Sequence, residues 1–328
     1  MMFILYVTSG GRDLAERLAL QAEEARVLPY SEGAVAEAFG RKSPLVFIGA
    51  LGIAVRAIAP YLRDKYRDPP VVVIDEAGRF VISLVSGHLG GGNELAQDLA
   101  AYLKAIPVVT TASDVRGLPA LDVWARSQGL VVENWWAMRR AQALLVQKRS
   151  LLVYKEISGL ELPLGLEPTA WPETAQVIIS FRPGLGRSQA LRLYAKVLAI
   201  GVGVNRGTRA EEVIEAIETV FREHDLCLAS AAVMASAWVK KDEPGLYEAA
   251  RALDLPIKFF SREEIASVPV KKPSAAVVAA IGVPAVAEPC ALLASGAKEI
   301  LVPKVKKGNV TVAVARSSSP LLARSAGL

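Results

Sequence analysis

The feature that most constrains the fold is a short unit that recurs along the chain: an apolar strand-like run, a glycine-containing turn and a stretch with helical periodicity. The clearest apolar runs span residues 3–8, 45–48, 80–85 and 197–200. Strands that alternate with helices in this way are typical of α/β folds. We therefore predict two α/β domains with largely parallel sheets. A tight connection after residue 74 also predicts that residues 71–74 and 81–85 pair as a hairpin.

Chain length and hydrophobic content suffice for more than one core. The chain has 328 residues, of which 52% are hydrophobic. Prolines at positions 163, 168, 172 and 183 interrupt the recurring pattern. We predict an N-terminal α/β domain at residues 1–135, a middle connecting segment with short strands at residues 136–197, and a C-terminal α/β domain at residues 198–328.

Histidine and cysteine are scarce, and this excludes several kinds of site. The chain has two histidines, His88 and His224, and two cysteines, Cys227 and Cys290. A disulfide-stapled fold and a cysteine zinc cluster are therefore disfavoured, and a three-histidine metal centre is excluded by counting. Both cysteines lie in apolar surroundings, so we expect them to be buried rather than nucleophilic.

The charge of the chain favours an anionic small molecule as its partner. Residues 135–328 hold 25 basic and 18 acidic side chains, whereas residues 1–134 hold 13 and 15. No stretch interleaves cations with aromatic residues, so we do not expect nucleic acid as a partner. No apolar run is long enough to span a bilayer, and the apolar N-terminus lacks the features of a signal peptide. We expect a soluble, cytoplasmic protein that does not bind membranes.

Residues 86–94 form the least ordinary segment, with four glycines in six positions. Such a loop lets a ligand approach the main chain, and the helix that follows offers free N–H groups to an anion. A ligand-binding or catalytic loop is one interpretation, and a tight strand-to-helix turn with a hydrogen-bonded histidine is the other. Asn93 is placed to cap the helix. The candidate residues here are Ser86, Gly87, His88, Gly90, Gly91, Asn93 and Glu94.

Two other loops would lie at the same edge of a parallel sheet, where ligands of such folds bind. The first contains Gly49, Gly52 and Arg56, and the second contains Thr110, Thr111 and Asp114. Arg56 could hold a carboxylate or form a surface salt bridge. Asp114 could orient a base or a water molecule, or cap a helix.

Common nucleotide and hydrolase signatures are absent from the sequence. The glycines at 201, 203 and 207 miss the dinucleotide fingerprint by one residue. No phosphate loop of the G-x-x-x-x-G-K-[ST] type and no G-x-S-x-G elbow occurs.

Taken in order, these loops resemble the cobalamin biosynthesis protein CbiG family. The N-terminal resemblance rests on residues 49–60, 68–75, 80–96 and 108–114. The C-terminal resemblance rests on Gly201, Gly203, Gly207 and Thr208 and on residues 240–246, 285–288 and 310–313. Two small departures are Gly92, where the family pattern has alanine, and Ser113, where it has threonine.

The resemblance implies a cobalt-precorrin-5A hydrolase of anaerobic cobalamin biosynthesis. Such an enzyme opens the δ-lactone of an anionic cobalt tetrapyrrole and breaks a carbon–carbon bond, so that acetaldehyde leaves and cobalt-precorrin-5B remains. No cofactor is expected, because the substrate carries the cobalt. His88, or Glu94 in its place, would activate water, and Asp114 would orient the histidine. The N–H groups of residues 90–92 would stabilise the oxyanion, while the other candidate residues would bind substrate.

Two alternatives stay open at this stage. The glycine loops could belong to a nucleotide- or phosphate-binding regulator, or the protein could carry corrinoid intermediates without catalysis. Lys240, Glu243 and Glu288 could close a cleft between the domains or serve a structural role. The partners of the chain could also include a second copy of itself, in a homodimer, and neighbouring enzymes of the pathway.

Overall fold

The computed structural model describes residues 1–22, 24–64, 67–87, 90–111, 117–270, 273–274, 277–279 and 282–321. The chain divides into two compact units, Met1–Val123 and Trp124–Leu328. Within each unit, helices cover mostly parallel sheets, so the predicted α/β class is confirmed. The division into three segments stays a prediction. No helix among the described residues is both long enough and apolar enough to cross a membrane.

The first unit contains a six-stranded sheet in the order β2-β1-β3-β4-β5-β6. Its strands are β1 (Met2–Tyr6), β2 (Ala25–Pro29), β3 (Leu45–Ile48), β4 (Val71–Ile74), β5 (Phe80–Val85) and β6 (Ile106–Val108). Its helices are α1 (Ser9–Ala19), α2 (Glu32–Gly40), α3 (Leu51–Ile58) and α4 (Gly92–Leu103).

Helices cover both faces of this sheet because its central strands are apolar on both sides. Every residue of β3 and β4 is buried. Helices α1 and α4 pack on one face, where Leu18 and Leu99 join the core. Helices α2 and α3 pack on the other face, where Val35 and Ile58 do the same. This sandwich explains why these strands read as continuous hydrophobic runs.

One strand pair reverses the direction of the sheet. Strands β1 to β4 are parallel, but β4 and β5 pair antiparallel, with Ile74 opposite Val81. Strand β6 is again parallel to β5. The predicted hairpin is therefore confirmed. Asp75 holds its turn, because one carboxylate oxygen accepts 2.7 Å hydrogen bonds from the backbone N–H groups of Arg79 and Phe80.

The second unit begins with a five-stranded sheet in the order β7-β11-β10-β8-β9. Its strands are β7 (Leu130–Val132), β8 (Leu151–Lys155), β9 (Leu166–Pro168), β10 (Val177–Ser180) and β11 (Leu191–Ala195). All pairs are parallel except β7 with β11. Helix α5 (Leu121–Ser127) precedes this sheet, and α6 (Trp135–Lys148) connects β7 to β8. The short strands predicted for the middle segment thus belong to this sheet.

The second unit also contains a sheet in the order β14-β13-β12-β16-β15. Its strands are β12 (Leu198–Val204), β13 (Ala231–Ala237), β14 (Ile257–Phe260), β15 (Ile300–Lys307) and β16 (Val310–Arg316). Strands β12, β13 and β14 are parallel, whereas β16 is antiparallel to both β12 and β15. The helices are α7 (Ala210–Glu223), α8 (Pro244–Ala252), α9 (Arg262–Ala266) and α10 (Ala287–Ser295).

Candidate functional site

The glycine-rich loop joins the end of β5 to the start of α4, as the sequence predicts. Backbone hydrogen bonds close it: the N–H of Gly92 donates to Ser86 O at 3.1 Å, and the N–H of Asn93 donates to Gly87 O at 2.8 Å. Ser86 has a φ of 55°, in the left-handed region that few non-glycine residues adopt. His88 lies outside the described residues, so its role stays a prediction.

Two glycines are required because the loop folds tightly upon itself. A Cβ atom at Gly90 would lie 2.6 Å from the backbone oxygen of Ser86, and one at Gly87 would lie 2.4 Å from Oδ1 of Asn93. A side chain at Gly90 would have to displace backbone, and one at Gly87 would have to displace the side chain of Asn93. The glycines therefore allow the chain to close around its own polar groups.

Asn93 holds the loop together from inside, rather than capping the helix. The N-cap residue of α4 is Gly91, whose φ is 80°. Asn93 is buried in the first turn, where its Oδ1 accepts a 2.7 Å hydrogen bond from Ser83 Oγ. Its Nδ2 donates to Thr111 Oγ1 at 3.2 Å. The capping prediction was wrong because the residue before the helix is a glycine in the left-handed conformation, while Asn93 connects β5 to the segment after β6.

This bridge brings together the loop and the segment after β6. Thr111 contacts Asn93, and its exposed neighbour Thr110 lies next to it in the chain. Asp114 lies outside the described residues. Ser83 was missed by sequence analysis, although a serine inside the apolar run of β5 was a visible signal.

Among the described residues of the loop, two backbone donors have no partner and one carboxylate is exposed beside them. The N–H groups of Gly90 and Gly91 donate to no described residue, whereas that of Gly92 is used to close the loop. Glu94 is exposed in the first turn of α4, next to these donors along the chain. Such an arrangement can stabilise a developing oxyanion and place a carboxylate near it.

A neighbouring segment supports the loop and carries both arginines and aspartates. Ser86 Oγ donates to the backbone oxygen of Asp68 at 2.9 Å. The carboxylate of Asp68 in turn accepts from the backbone N–H of Arg63 at 3.0 Å. Arg63 and Arg67 are both exposed on this segment, and Arg67 forms an ion pair with Asp64 at 3.5 Å.

Gly49, Gly52 and Arg56 lie at the opposite edge of the sheet, so the prediction of a single edge was wrong. Gly49 follows β3 and donates its N–H to Ile74 O, at the far end of β4 from Ser86. Because β5 runs against β4, the ends of β3 and β5 are separated by the length of a strand, about 10 Å. Arg56 is exposed and donates from Nη1 to Gly52 O at 3.1 Å.

Both cysteines are at least partly shielded from solvent. No three His, Cys, Asp or Glu side chains there are grouped so that they could hold a metal ion. Cys290 is buried as predicted, and this burial raises the pKa of its thiol to about 12. Cys227 is partly buried, and burial is also the main cause of its raised pKa.

Sequence analysis missed a cleft of about 650 Å³ in the second unit. It lies at the carboxyl ends of β12 and β13 and extends to the β15–β16 hairpin and the start of α10. The side chains that give it its character are the cations Arg206, Lys240, Lys304 and Lys306 and the apolar residues Val239, Val277 and Val286. The excess of cations in this half of the sequence was the available signal.

Two acidic residues near this cleft have structural roles, which was one of the two interpretations left open. Glu243 accepts from the N–H of Gly207 at 2.9 Å and forms an ion pair with Lys240 at 3.3 Å. Glu288 accepts from the backbone N–H of Lys304 at 3.1 Å. The latter bond ties the start of α10 to an irregular part of β15.

Proteins of cobalamin synthesis are similar to this chain. The model of the cobalamin synthesis G N-terminal family matches residues 33–114, and that of the cobalamin synthesis G C-terminus matches residues 198–315. The cobalt-precorrin-5A hydrolase of Priestia megaterium is 37% identical over 291 residues, which are 83% of this chain and 78% of that protein. The enzyme of the same name from Salmonella typhimurium is 31% identical and covers 93% of this chain and 95% of its own. Protein CobE of a Sinorhizobium species is 31% identical over 121 residues, 36% of this chain and 79% of its own.

Proposed function

The chain belongs to the cobalamin synthesis G family, and on that basis we propose that it is a hydrolase acting on cobalt-precorrin-5A. The observation that carries this proposal is the similarity to two enzymes of that name over most of their lengths. Water opens the δ-lactone of the substrate, and the hydroxyl set free then collapses with cleavage of a carbon–carbon bond. The products are acetaldehyde and cobalt-precorrin-5B.

The glycine loop suits the first step of this reaction. Attack of water on the lactone carbonyl places negative charge on its oxygen, and preorganised N–H donors stabilise such an oxyanion. The N–H groups of Gly90 and Gly91 serve this role in our proposal. Gly92 is left out, because its N–H already donates to Ser86 O.

We assign the general base to His88, with Glu94 as its alternative. An imidazole accepts a proton well near neutral pH because its ordinary pKa lies close to neutrality. In this proposal Asp114 orients the histidine. Glu94 is exposed at the start of α4, where a carboxylate can reach a ligand held by the loop.

Several further predictions belong to the same proposal. The protein needs no metal of its own, because cobalt enters as part of the substrate. Ser86, Gly87, Asn93, Thr110 and Thr111 shape the site at one edge of the sheet, while Gly49, Gly52 and Arg56 would contact substrate only at the other edge. We also propose that the protein is cytoplasmic, forms a homodimer and contacts other enzymes of the pathway.

The test is release of acetaldehyde from cobalt-precorrin-5A, compared with a reaction that lacks protein. If His88 is the base, His88→Ala lowers turnover at least about 100-fold. His224→Ala is the matched control, because His224 is exposed at the end of α7. Normal turnover by His88→Ala with loss in Glu94→Gln would move the role to Glu94. Binding of the tetrapyrrole without any acetaldehyde would overturn the proposed activity in favour of a carrier.

A further inference from the structure

We propose that the cleft of the second unit, at the carboxyl ends of β12 and β13, is a binding site for the carboxylates of an anionic tetrapyrrole. That the tetrapyrrole is the substrate rests on the proposed function. The existence of a polycarboxylate site rests on the cleft alone.

Charge is the first argument. Every charged residue that lines the cleft is a cation, among the described residues. Lys240 is paired with Glu243. Arg206 and Lys306, by contrast, have no ion pair with any residue that the structure describes. Cations that form no ion pair in a concave site attract an anion.

Strand register aims Lys306 at the cleft. Lys306 on β15 pairs with Thr311 on β16, and Thr311 pairs with Gly203 on β12. Residues paired across neighbouring strands point to the same face, so these three form one row, and all three line the cleft. Lys307, the next residue, points to the opposite face, where its Nζ binds Glu223 of α7 at 2.7 Å.

Gly203 lies at the floor of the cleft, where packing does not require a glycine. A Cβ atom at Gly203 would meet Thr311 and Val286 at 3.8 and 3.9 Å, which are ordinary contact distances. A Cβ at Gly201, two residues earlier on the same strand, would lie 1.8 Å from the backbone oxygen of Ala287. Gly201 is thus required for packing of α10, whereas Gly203 only leaves space above the sheet.

Hydrogen bonds hold the rim of the cleft in place. The side chain of Asn205 donates to Asn309 Oδ1 at 3.0 Å, and the backbone N–H of Asn205 donates to Asn309 O at the same distance. Asn309 also donates to Glu212 of α7 at 3.0 Å. The loop after β12 and the β15–β16 turn are therefore joined.

The size and lining of the cleft select the class of ligand. Its volume of about 650 Å³ lies within the range of small-molecule sites. Valines form the walls, and several cations lie around them. A flat apolar ring that bears carboxylates matches this combination, because the ring covers the valines while its carboxylates reach the cations.

The experiment measures binding of uroporphyrin, a tetrapyrrole polycarboxylate, to the full chain by fluorescence titration. Citrate and inorganic phosphate are tested as competitors, to separate a tetrapyrrole site from a site for any small anion. Lys306→Gln and Arg206→Gln are each expected to weaken binding about tenfold, because each removes one charge-assisted contact. Lys307→Gln is the matched control: it removes the same charge from the same strand on the other face.

Weaker binding in Lys306→Gln and Arg206→Gln, with Lys307→Gln unchanged, supports the proposal. The proposal is overturned if all three variants bind uroporphyrin with the same affinity, or if the unaltered protein does not bind it. Full displacement by phosphate at equal concentration also overturns it, since the site would then not select a tetrapyrrole. Acetaldehyde release is measured separately. If the unaltered protein binds uroporphyrin selectively but releases no acetaldehyde from cobalt-precorrin-5A, the proposed activity is refuted and the proposed binding site is not.

Discussion

Ser83 on β5 donates a 2.7 Å hydrogen bond to Asn93 in the first turn of α4. The bond therefore connects the strand that enters the glycine loop to the helix that leaves it. Asn93 is buried and also binds Thr111. One amide thus fixes three segments of the candidate site.

Asn93→Ala is expected to lower the free energy of unfolding by about 1–3 kcal/mol, because it leaves the partly buried hydroxyl of Ser83 without its acceptor. Urea denaturation measures the change. Ser83→Ala and the double variant complete a thermodynamic cycle, in which the double variant should lose less than the sum of the two single variants. Strict additivity would show that the two side chains do not interact.

Gly90→Ala is expected to reduce acetaldehyde release at least about tenfold, because its methyl group would displace the backbone at Ser86 and move the loop donors. Gly91→Ala is the comparison: among the described residues, no atom outside its two chain neighbours lies within 4 Å of an added Cβ, and a φ of 80° resists the change by about 1–2 kcal/mol. Steady-state kinetics measure acetaldehyde release by both variants. Equal rates in Gly90→Ala and Gly91→Ala would contradict a tightly closed loop.

Gly201→Ala is expected to destabilise the protein by about 1–3 kcal/mol or more, because the added methyl group overlaps the backbone of α10. Gly203→Ala should change stability by less than about 1 kcal/mol, since its Cβ meets only ordinary contacts. Thermal unfolding distinguishes the two. Similar losses would mean that α10 does not pack on β12 as described.

Acid should weaken the second unit through Glu243. The hydrogen bond from the N–H of Gly207 is the main cause that holds the pKa of Glu243 below its ordinary value, and the Lys240 ammonium adds to it. A carboxyl group whose pKa is lowered by folding stabilises the fold above its unfolded pKa of about 4.3, and this contribution is lost as the pH falls through the folded value. Denaturation at a series of acidic pH values should therefore show a shallower decline in Glu243→Gln. An identical decline would contradict this role.

Cys290 should resist alkylation in the folded protein. Its thiol is fully buried and has a pKa raised to about 12, so little thiolate exists near neutral pH. Iodoacetamide treatment followed by peptide mass spectrometry should find Cys290 modified only after unfolding in urea. Rapid modification without denaturant would show that this region opens.

The pattern of strands, glycines and helices was sufficient to predict the fold class, because each unit is local in sequence. The single-edge prediction failed at a different level. The turn at Asp75 was recognisable, but its reversal of β5 and β6 affects where every later loop lies. The edge at which a loop lies depends on the directions of all the strands before it. One antiparallel pair therefore moves every later loop to the opposite edge.

The second unit shows two further limits of local patterns. Strand β9 is only three residues long, and prolines lie near it, so its pairing with β8 leaves almost no periodic signal. In the cleft, Arg206 and Lys306 are a hundred positions apart in the sequence. They line one cleft only because β16 pairs with β12. The sequence around either residue contains no pattern that predicts this pairing.

The reversal between β4 and β5 separates the loops of the first unit into two rims that can be altered one at a time. A fluorescent label at the exposed Ile53 of α3 would lie a strand length away from the glycine loop. Such a label could report unfolding of this unit without touching the glycine loop. Protein engineering can therefore treat the two rims of one sheet as independent attachment points.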